Sequence, residues 1–178
     1  LRRMLRHLKP DRAAVVWDMG LPARRTALQP AYKAQRAEMP EALDAQLPLL
    51  RNLIGLIGFT SVSLPDTEAD DLMASYAHAA DAQGWETVLA TIDKDLFQIL
   101  SPSVRIYSTQ KNDLPSPKDT HALLGAEAVH RKWGIAPEQL RDYLSIVGDA
   151  SDNIPGIPGI GPKGASALLS THGSLATM

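Results

Sequence analysis

Residues 148–164 read GDASDNIPGIPGIGPKG, and the second half of this stretch has the spacing Gly-x-x-Gly-x-Gly from Gly156 to Gly161. Glycine allows a backbone to approach a ligand closely, and the first N–H groups of a helix that follows can bind a phosphate. The spacing therefore predicts a helix-hairpin-helix that binds a phosphate backbone rather than bases, whereas a Pro/Gly turn taken alone would be only a loop. The predicted backbone-binding residues are Gly159, Gly161, Lys163 and Gly164.

Strand-like and helix-like patterns alternate along the chain. The runs expected to form strands are 13–17, 60–64, 85–91 and 104–107. The segments with helical spacing of apolar residues are 1–8, 41–57, 67–83, 125–133, 137–147 and 163–170. Asp66 or Thr67 is the predicted cap of the third helix. This alternation predicts an α/β fold with a mostly parallel sheet flanked by helices.

Acidic residues follow the ends of the predicted strands. Asp18 comes after the first strand, Asp93 and Asp95 follow the third, and an acidic run at 68–71 begins the helix after the second. Ligands of open α/β sheets bind outside the carboxyl ends of the strands, so these acids can converge on one pocket. The helix dipole also favours acids in a first turn, which could explain the run at 68–71 but not the others. The candidate metal ligands are Asp18, Glu68, Asp70, Asp71, Asp93, Asp95, Asp149 and Asp152.

The chemistry of this set favours divalent cations. Crowded carboxylates repel one another unless a cation lies between them. The motifs offer oxygen ligands only, which suit hard cations such as Mg²⁺ or Mn²⁺. Two such ions about 4 Å apart can hold the attacking and leaving oxygens of a phosphoryl displacement. Beside a predicted phosphate-binding hairpin, the acids indicate a metal-dependent reaction on a nucleic acid.

The composition is compatible with this interpretation without requiring it. Setting aside the eight acids changes the formal net charge from −2 to +6 for the remaining residues, and a basic surface is typical of nucleic-acid binding. Many proteins have a formal net charge near −2 without any metal site or nucleic-acid partner, so the charge alone decides nothing. The absence of cysteine excludes disulfides and cysteine-ligated zinc. No apolar run approaches the roughly 20 residues that span a bilayer and no signal peptide is visible, so we expect a cytoplasmic protein without a membrane partner.

Together these motifs closely resemble the 5′-nuclease family, which includes the N-terminal 5′→3′ exonuclease domain of bacterial DNA polymerase I and the flap endonucleases. The resemblance covers nearly the whole chain and follows one order. The matching motifs are Val15-Val16-Trp17-Asp18, Tyr32-Lys33-Ala34-Gln35-Arg36, Glu68-Ala69-Asp70-Asp71, Asp93-Lys94-Asp95, and Gly148-Asp149 with Asp152-Asn153-Ile154-Pro155-Gly156. The resemblance implies a PIN-like or resolvase-like nuclease domain over 1–135 and a helix-hairpin-helix (H3TH) subdomain over 136–178.

The resemblance also implies a function. Members cut DNA near the 5′ end of flap, nicked or branched duplexes with two Mg²⁺ ions, for which Mn²⁺ can substitute. The ligands implied for the first ion are Asp18, Glu68 and Asp70. Those implied for the second are Asp93, Asp95, Asp149 and, through water, Asp152, with Asp71 near both ions. The residues implied to be catalytic are Asp18, Asp70, Asp95, Lys33 and Arg36.

Contacts with DNA and a monovalent ion follow from the same resemblance. Lys33 and Arg36 would engage the scissile phosphate, and Tyr32 would stack on a terminal base. A potassium ion would accompany the hairpin. Its implied ligands are the backbone carbonyls of Ile146, Val147, Pro155, Ile157 and Ile160.

The family begins with a further strand that carries another metal-ligating Asp, and nothing stands upstream of Leu1. We therefore expect the chain to be a fragment truncated at both ends, with one ligand missing from its first metal site. The parent protein could include a polymerase domain.

Two other function classes compete with the nuclease. A non-catalytic DNA-binding module would have kept the hairpin and lost the chemistry, but a degenerate site should have lost some of the eight acids. A magnesium phosphohydrolase would use Asp18 as its nucleophile. That class requires an acid two residues later, where Gly20 stands, and it leaves the hairpin unexplained.

Overall fold

The computed structural model describes residues 1–178. Its contacts divide the chain into two compact units. Leu1–Leu28 with Arg36–Leu72 form the first unit, and Gln29–Gln35 with Met73–Met178 form the second. Each unit combines helices with β-strands, so the predicted α/β class is confirmed. None of the helices has both the length and the apolar character that crossing a bilayer requires.

The first unit contains a parallel pair of strands. β1 (Ala14–Val16) pairs with β2 (Thr60–Val62), and both lie within predicted strands. Trp17 extends the ladder, since its backbone N–H donates to the carbonyl of the last β2 residue at 2.9 Å. Its indole N–H donates to the Ser61 hydroxyl at 2.8 Å. These bonds fix the chain immediately before Asp18.

The helices of the first unit are short. They are α1 (Arg2–Leu8), α2 (Ala23–Leu28), α3 (Glu41–Asp44) and α4 (Leu47–Leu56). The prediction of one helix over 41–57 is wrong, because the chain breaks between α3 and α4. Pro48 supplies the reason, since it lacks an N–H and its ring would clash with the carbonyl four residues earlier. That carbonyl belongs to Asp44, where α3 ends.

The helix that carries the acidic run is α5 (Ala69–Asp81), which begins in the first unit and continues in the second. The prediction that Asp66 or Thr67 caps it is wrong. Asp66 has a left-handed backbone with φ of 58°, and its carboxylate accepts a hydrogen bond from the N–H of Ala23 at the start of α2. The Thr67 hydroxyl bonds to the carbonyl two residues before it.

The second unit contains a three-stranded sheet with one parallel and one antiparallel pairing. β3 (Thr87–Ala90) runs parallel to β4 (Val104–Ser108), as predicted. β5 (Ala122–Leu124) pairs antiparallel to β4 and was not predicted from the sequence. A short 3₁₀-helix, Asp95–Ile99, follows β3 and begins with Asp95, one of the two acids expected at that strand's end. Asp93 lies in the turn that leads into it.

Helices and a small hairpin complete the second unit. The helices are α6 (Ala126–Trp133), α7 (Leu140–Val147) and α8 (Pro162–His172). Between α7 and α8, the two-residue strands β6 (Gly148–Asp149) and β7 (Ile154–Pro155) pair antiparallel and close a turn. One core joins the sheet, the 3₁₀-helix and these helices. Its fully buried side chains include Phe97, Ile106, Val129, Ile135, Leu140, Ile146 and Leu169.

Candidate metal and nucleic-acid sites

The first unit gathers four of the predicted acids at the start of α5. Glu68, Asp70 and Asp71 have carboxylate oxygens within 4.8 Å of one another. The Asp18 carboxylate joins them there, since it accepts a hydrogen bond from the N–H of Ala69 at 3.3 Å. A strand end and a helix start that are about fifty residues apart in the chain thus supply one set of oxygens. We call these four acids the first acidic cluster.

Arg25 neutralises part of this first acidic cluster. Its guanidinium forms an ion pair with Glu68 and a second one with Asp71 at 2.8 Å. Sequence reasoning did not include Arg25 among the site residues. It lies on α2, whose position depends on the bond from Asp66 to the start of that helix. No local sequence signal indicates this contact.

The second unit gathers three further acids. Asp95 begins the 3₁₀-helix, Asp149 ends β6, and Asp152 lies in the turn between β6 and β7. Their carboxylate oxygens all lie within 4.8 Å of one another. The Asp149 carboxylate also accepts bonds from the N–H and hydroxyl of Ser151, at 2.8 and 2.6 Å. We call Asp95, Asp149 and Asp152 the second acidic cluster.

Asp93 lies beside this group rather than within it. Its carboxylate accepts a hydrogen bond from the backbone N–H of Asp95 at 2.9 Å, and its own N–H donates to the Thr91 hydroxyl at 3.0 Å. These bonds shape the turn that leads into the 3₁₀-helix. The role of Asp93 as a ligand of the second ion stays a prediction.

Two lysines provide counter-charges for the second acidic cluster. The Lys94 ammonium bonds to the Asp149 carboxylate at 2.7 Å, and the Lys33 ammonium lies 3.8 Å from the Asp152 carboxylate. Burial opposes the charge of Lys94, but the hydrogen bond to Asp149 and the negative charges of the cluster together outweigh it and raise the lysine pKa. Burial likewise opposes the charge of Asp149, but bonds from Lys94 and Ser151 lower the pKa of that carboxyl.

Asp95 is the member of the cluster whose ionised form is disfavoured. Burial raises the pKa of its carboxyl from 3.8 to about 6, and the neighbouring charge of Asp93 adds to the effect. One of its carboxylate oxygens, Oδ1, is buried without a hydrogen-bond partner. A buried, unpartnered carboxylate oxygen within reach of two further carboxylates is the donor set that a hard divalent cation takes. The residues of the second acidic cluster therefore fit such a cation.

The predicted phosphate-engaging motif begins within the second unit, to which Tyr32 and Lys33 belong, whereas Arg36 belongs to the first. Tyr32 is 8% exposed, and the Lys33 ammonium lies 4.9 Å from the centre of its ring. Arg36 is exposed. Because the Tyr32 ring is covered, stacking on a DNA base requires the ring to leave this position.

The hairpin between α7 and α8 has the predicted form. Gly159 has a positive φ of 84° with open space around its Cα, and Gly161 is the N-cap residue of α8. Lys163 and Gly164 lie exposed in the first turn of that helix, which contains no acid. Exposed N–H groups at a helix start, with a lysine and no carboxylate, form a surface to which a phosphate can bind.

The carbonyls named for a potassium ion lie around the same hairpin. The Ile146 carbonyl accepts a bond from the N–H of Ile157 at 2.7 Å, and the Ile157 carbonyl accepts one from Ile160 at 3.1 Å. Each carbonyl oxygen has a second lone pair for another partner. These bonds hold the hairpin to the end of α7.

The fold and the site define a resolvase-like α/β domain that carries carboxylate clusters suited to divalent metal, followed by a helix-hairpin-helix. Residues 1–134 match the family model for the 5′-3′ exonuclease N-terminal resolvase-like domain, and residues 135–178 match that for the 5′-3′ exonuclease C-terminal SAM fold. This chain belongs to the 5′-3′ exonuclease family. The expected family and fold are thereby confirmed.

Relatives in this family include polymerases and a flap endonuclease. DNA polymerase I of Rhizobium leguminosarum is 38% identical over 169 residues, which are 95% of this chain and 16% of that protein. The thermostable DNA polymerase I of Thermus thermophilus is 38% identical over 98% of this chain and 20% of its own length. Flap endonuclease Xni of Shewanella amazonensis is 39% identical over 99% of this chain and 66% of its own length. The chain thus spans a fifth or less of these polymerases.

Solved structures share the fold. The T5 D15 protein, crystallised with metal ions, superposes with a TM-score of 0.81 at 24% identity, over 99% of this chain and 67% of that one. The catalytic core of Rad2 in complex with a DNA substrate superposes with a TM-score of 0.61 at 19% identity, over 99% and 52% of the two chains.

Proposed function

We propose that this chain is the catalytic part of a structure-specific 5′→3′ nuclease that hydrolyses phosphodiester bonds of 5′-flap, nicked or branched duplex DNA in replication and repair. The observation that carries the proposal is the pair of acidic clusters, each with three carboxylates within 4.8 Å of one another. Both consist of acids at the positions where the family motifs occur. Polymerase and flap-endonuclease relatives at 38–39% identity support the same activity.

The proposed nuclease uses two divalent ions. The first acidic cluster would hold one, and the second acidic cluster, with Asp93 beside it, would hold the other. We propose Mg²⁺ as the physiological ion, with Mn²⁺ as a substitute, because the ligands are oxygens only. When bound, the ions supply charge stabilisation at the attacking and leaving oxygens of the displacement.

The chain's own cations divide into two roles. Lys33 and Arg36 would bind the scissile phosphate, so Lys33 exchanges its contact with the Asp152 carboxylate for a phosphate oxygen. Arg25 and Lys94 pair with acids of the two clusters. They hold those carboxylates in place before a metal arrives.

The C-terminal part would hold the uncut duplex. The exposed N–H groups and Lys163 at the start of α8 bind a phosphate, and a potassium ion at the carbonyls of the hairpin would bridge protein and DNA. We propose 136–178 as this DNA-binding subdomain and 1–135 as the catalytic domain. The proposed compartment is the cytoplasm. A polymerase domain in the same protein is supported by the polymerase relatives, and the coding sequence beyond residue 178 tests it.

The direct test of the proposal uses the full-length protein with a labelled 5′-flap duplex. In Mg²⁺ we expect cleavage near the base of the flap. In Ca²⁺ or in a chelator we expect binding without cleavage, because the oxygen ligands accept Ca²⁺ but the geometry of that larger ion is too loose for the displacement. Cleavage in chelator would contradict the metal-dependent site, and binding without cleavage in Mg²⁺ would favour the non-catalytic DNA-binding module.

Lys163→Ala tests the hairpin. We expect the Kd for duplex DNA in Ca²⁺ to rise about fivefold and the slope of log Kd against log salt to fall by about 1, because one phosphate contact is lost. Duplexes of different sequence should be affected alike, since the contact is to the backbone.

Lys118→Ala is the matched control, because Lys118 is an exposed lysine of a loop outside the hairpin. It should leave the Kd unchanged. A sequence-dependent loss in Lys163→Ala, or equal losses in the two variants, would contradict the assignment.

A further inference from the structure

A seven-residue segment, Gln29–Gln35, packs with the second unit although the chain on both sides of it belongs to the first. Its N–H groups form tight turns, with Tyr32 bonded to the carbonyl of Gln29 at 2.9 Å. Lys33 has a left-handed backbone with φ of 55°. Non-glycine residues adopt this conformation rarely, and mostly where the surroundings impose it. We call this segment the strap.

Amide side chains fasten the strap to the turn that carries the second acidic cluster. The Gln29 side chain donates to the Asn153 carbonyl at 3.0 Å, and the Asn153 side chain donates to the Ala31 carbonyl at 2.8 Å. At the other end, the Gln35 side chain donates to the carbonyls of Ala150 and Ser151, at 2.7 and 3.2 Å. The strap is therefore held at its two ends.

The centre of the strap contacts an acid of the cluster directly. The backbone N–H of Lys33 donates to the Asp152 carbonyl at 3.1 Å, and its ammonium lies 3.8 Å from the Asp152 carboxylate. The side chain of Lys33 is 9% exposed. The amide bonds on either side thus set where this ammonium lies relative to the second acidic cluster.

We propose that Asn153, Gln29 and Gln35 are positioning residues of the nuclease. Their amide bonds hold Lys33 and the second acidic cluster in one geometry, so that the phosphate-binding ammonium and the metal-binding carboxylates act on the same phosphodiester. None of the three amides needs to touch DNA or metal. This inference rests on the proposed function and adds to it the residues that align its two parts.

Misalignment of Lys33 with the second acidic cluster should lower the rate of cleavage strongly and the affinity for DNA only slightly. A displacement of about 1 Å in a group that orients a reacting phosphate can cost about 100-fold in rate. In the proposed function, duplex affinity comes mainly from the hairpin at 156–164, Lys33 and Arg36 add contacts to one phosphate, and the amides contact no DNA. Loss of the amide bonds should therefore lower the rate of cleavage at saturating protein and leave the Kd for DNA almost unchanged.

Asn153→Gly isolates the side-chain amide. Asn153 has a φ of 58°, a conformation that glycine adopts without strain, so the backbone of the turn is retained while the bond to the Ala31 carbonyl is lost. Gln35→Ala is a second variant at an exposed side chain. Gln83→Ala is the matched control, because its amide also donates to a backbone carbonyl, that of Ala79, but outside this region.

The first measurement is single-turnover cleavage of a 5′-flap duplex by the full-length protein in Mg²⁺. We expect Asn153→Gly and Gln35→Ala to be about 10- to 100-fold slower than the native protein, with Kd values in Ca²⁺ within about twofold. The Gln29→Ala/Asn153→Gly double variant should lose less than the product of the single losses, since both bonds fasten the same end. Gln83→Ala should cleave at the native rate.

The second measurement does not depend on activity. Hydrogen exchange of the strap peptide in chelator should be at least about tenfold faster in Asn153→Gly and Gln35→Ala than in the native protein. In these two variants, peptides of β4 should exchange at native rates. In the Gln83→Ala variant, the strap peptide should also exchange at the native rate. Native exchange in both strap variants, native cleavage rates in both, or a loss of DNA affinity equal to the loss of rate would overturn the inference. If the native protein cleaves no DNA, the proposed function fails, while the exchange experiment still decides whether the amides hold the strap.

Discussion

Replacing Asp95 by Asn is expected to lower flap cleavage in Mg²⁺ by about 10³-fold or more, with little change in DNA affinity. The substitution removes one charge from the second acidic cluster, and loss of a single electrostatic group at a reaction centre commonly costs 10²- to 10³-fold, so about the upper end is expected where a metal ligand is lost. Duplex binding through the hairpin does not involve Asp95. Single-turnover cleavage and Kd in Ca²⁺ measure the two effects.

The same variant should be more stable than the native protein in chelator. Burial and Asp93 raise the pKa of the Asp95 carboxyl from 3.8 to about 6. A carboxyl with a raised pKa contributes stability that is fully present below pH 3.8 and is lost as the pH rises through about 6. Asparagine carries no charge and avoids this loss. At pH 7.5 we expect a gain of about 1–2 kcal/mol in the free energy of unfolding, less than the full shift implies because the group is only half buried.

Chemical denaturation in chelator at pH 4 and pH 7.5 tests whether Asp95→Asn raises the free energy of unfolding. The gain should be present at pH 7.5 and absent at pH 4, and Mg²⁺ should stabilise the native protein more than the variant, because a ligand that binds only the folded state stabilises it. Asp119→Asn, at an exposed loop position, should change neither stability nor cleavage. Normal cleavage by Asp95→Asn would contradict the assignment of the second ion, and lower stability at pH 7.5 would contradict the electrostatic argument.

Gly156→Ala is expected to destabilise the protein by at least about 3 kcal/mol and to disrupt the hairpin. A Cβ at Gly156 would lie 2.2 Å from the carbonyl oxygen of Val147 and 2.7 Å from that of Ile146. These are backbone atoms at the end of α7, so they cannot rotate away as a side chain would. Overpacking in a rigid place commonly costs 1–3 kcal/mol and occasionally more, and about the top of that range applies here.

Gly161→Ala is the matched control in the same hairpin. A Cβ at Gly161 meets no atom within 4 Å, and the residue has a φ of −91° that alanine adopts freely. Its free energy of unfolding should stay within about 0.5 kcal/mol of the native value. Urea denaturation of the two variants provides the comparison. Equal free energies of unfolding would contradict the prediction, because they would show that the backbone at the end of α7 shifts to make room for the extra methyl group.

These glycines show where sequence reasoning attributes a residue to the wrong cause. The Gly-x-x-Gly-x-Gly spacing suggests that each glycine serves a close approach to phosphate. Gly159 and Gly161 do have open space at their Cα atoms, as that reasoning requires. Gly156 instead lies against the carbonyl of Val147, so packing within the protein excludes any side chain there.

Much of the fold and of the site could be predicted from local patterns. The period of apolar residues located all four predicted strands and most helices, because burial of one face imposes that period. Six of the eight acids were found because they directly follow these strands or begin the next helix, and Asp149 and Asp152 were found because they stand beside the predicted hairpin. The break between α3 and α4 was missed, although Pro48 indicates it, because the apolar residues on both sides keep helical spacing and predicted one continuous helix.

Tertiary structure alone decided which cations meet the acids. Arg25 with Glu68, Lys94 with Asp149 and Lys33 with Asp152 are pairs of residues 43 to 119 positions apart in the chain. It likewise decided that the strap is held by the turn around Asn153. By itself the sequence determined the elements and the ligand chemistry, because both depend on residue type and on near neighbours. Partners distant along the chain depend on how those elements pack, and packing is a property of the whole fold.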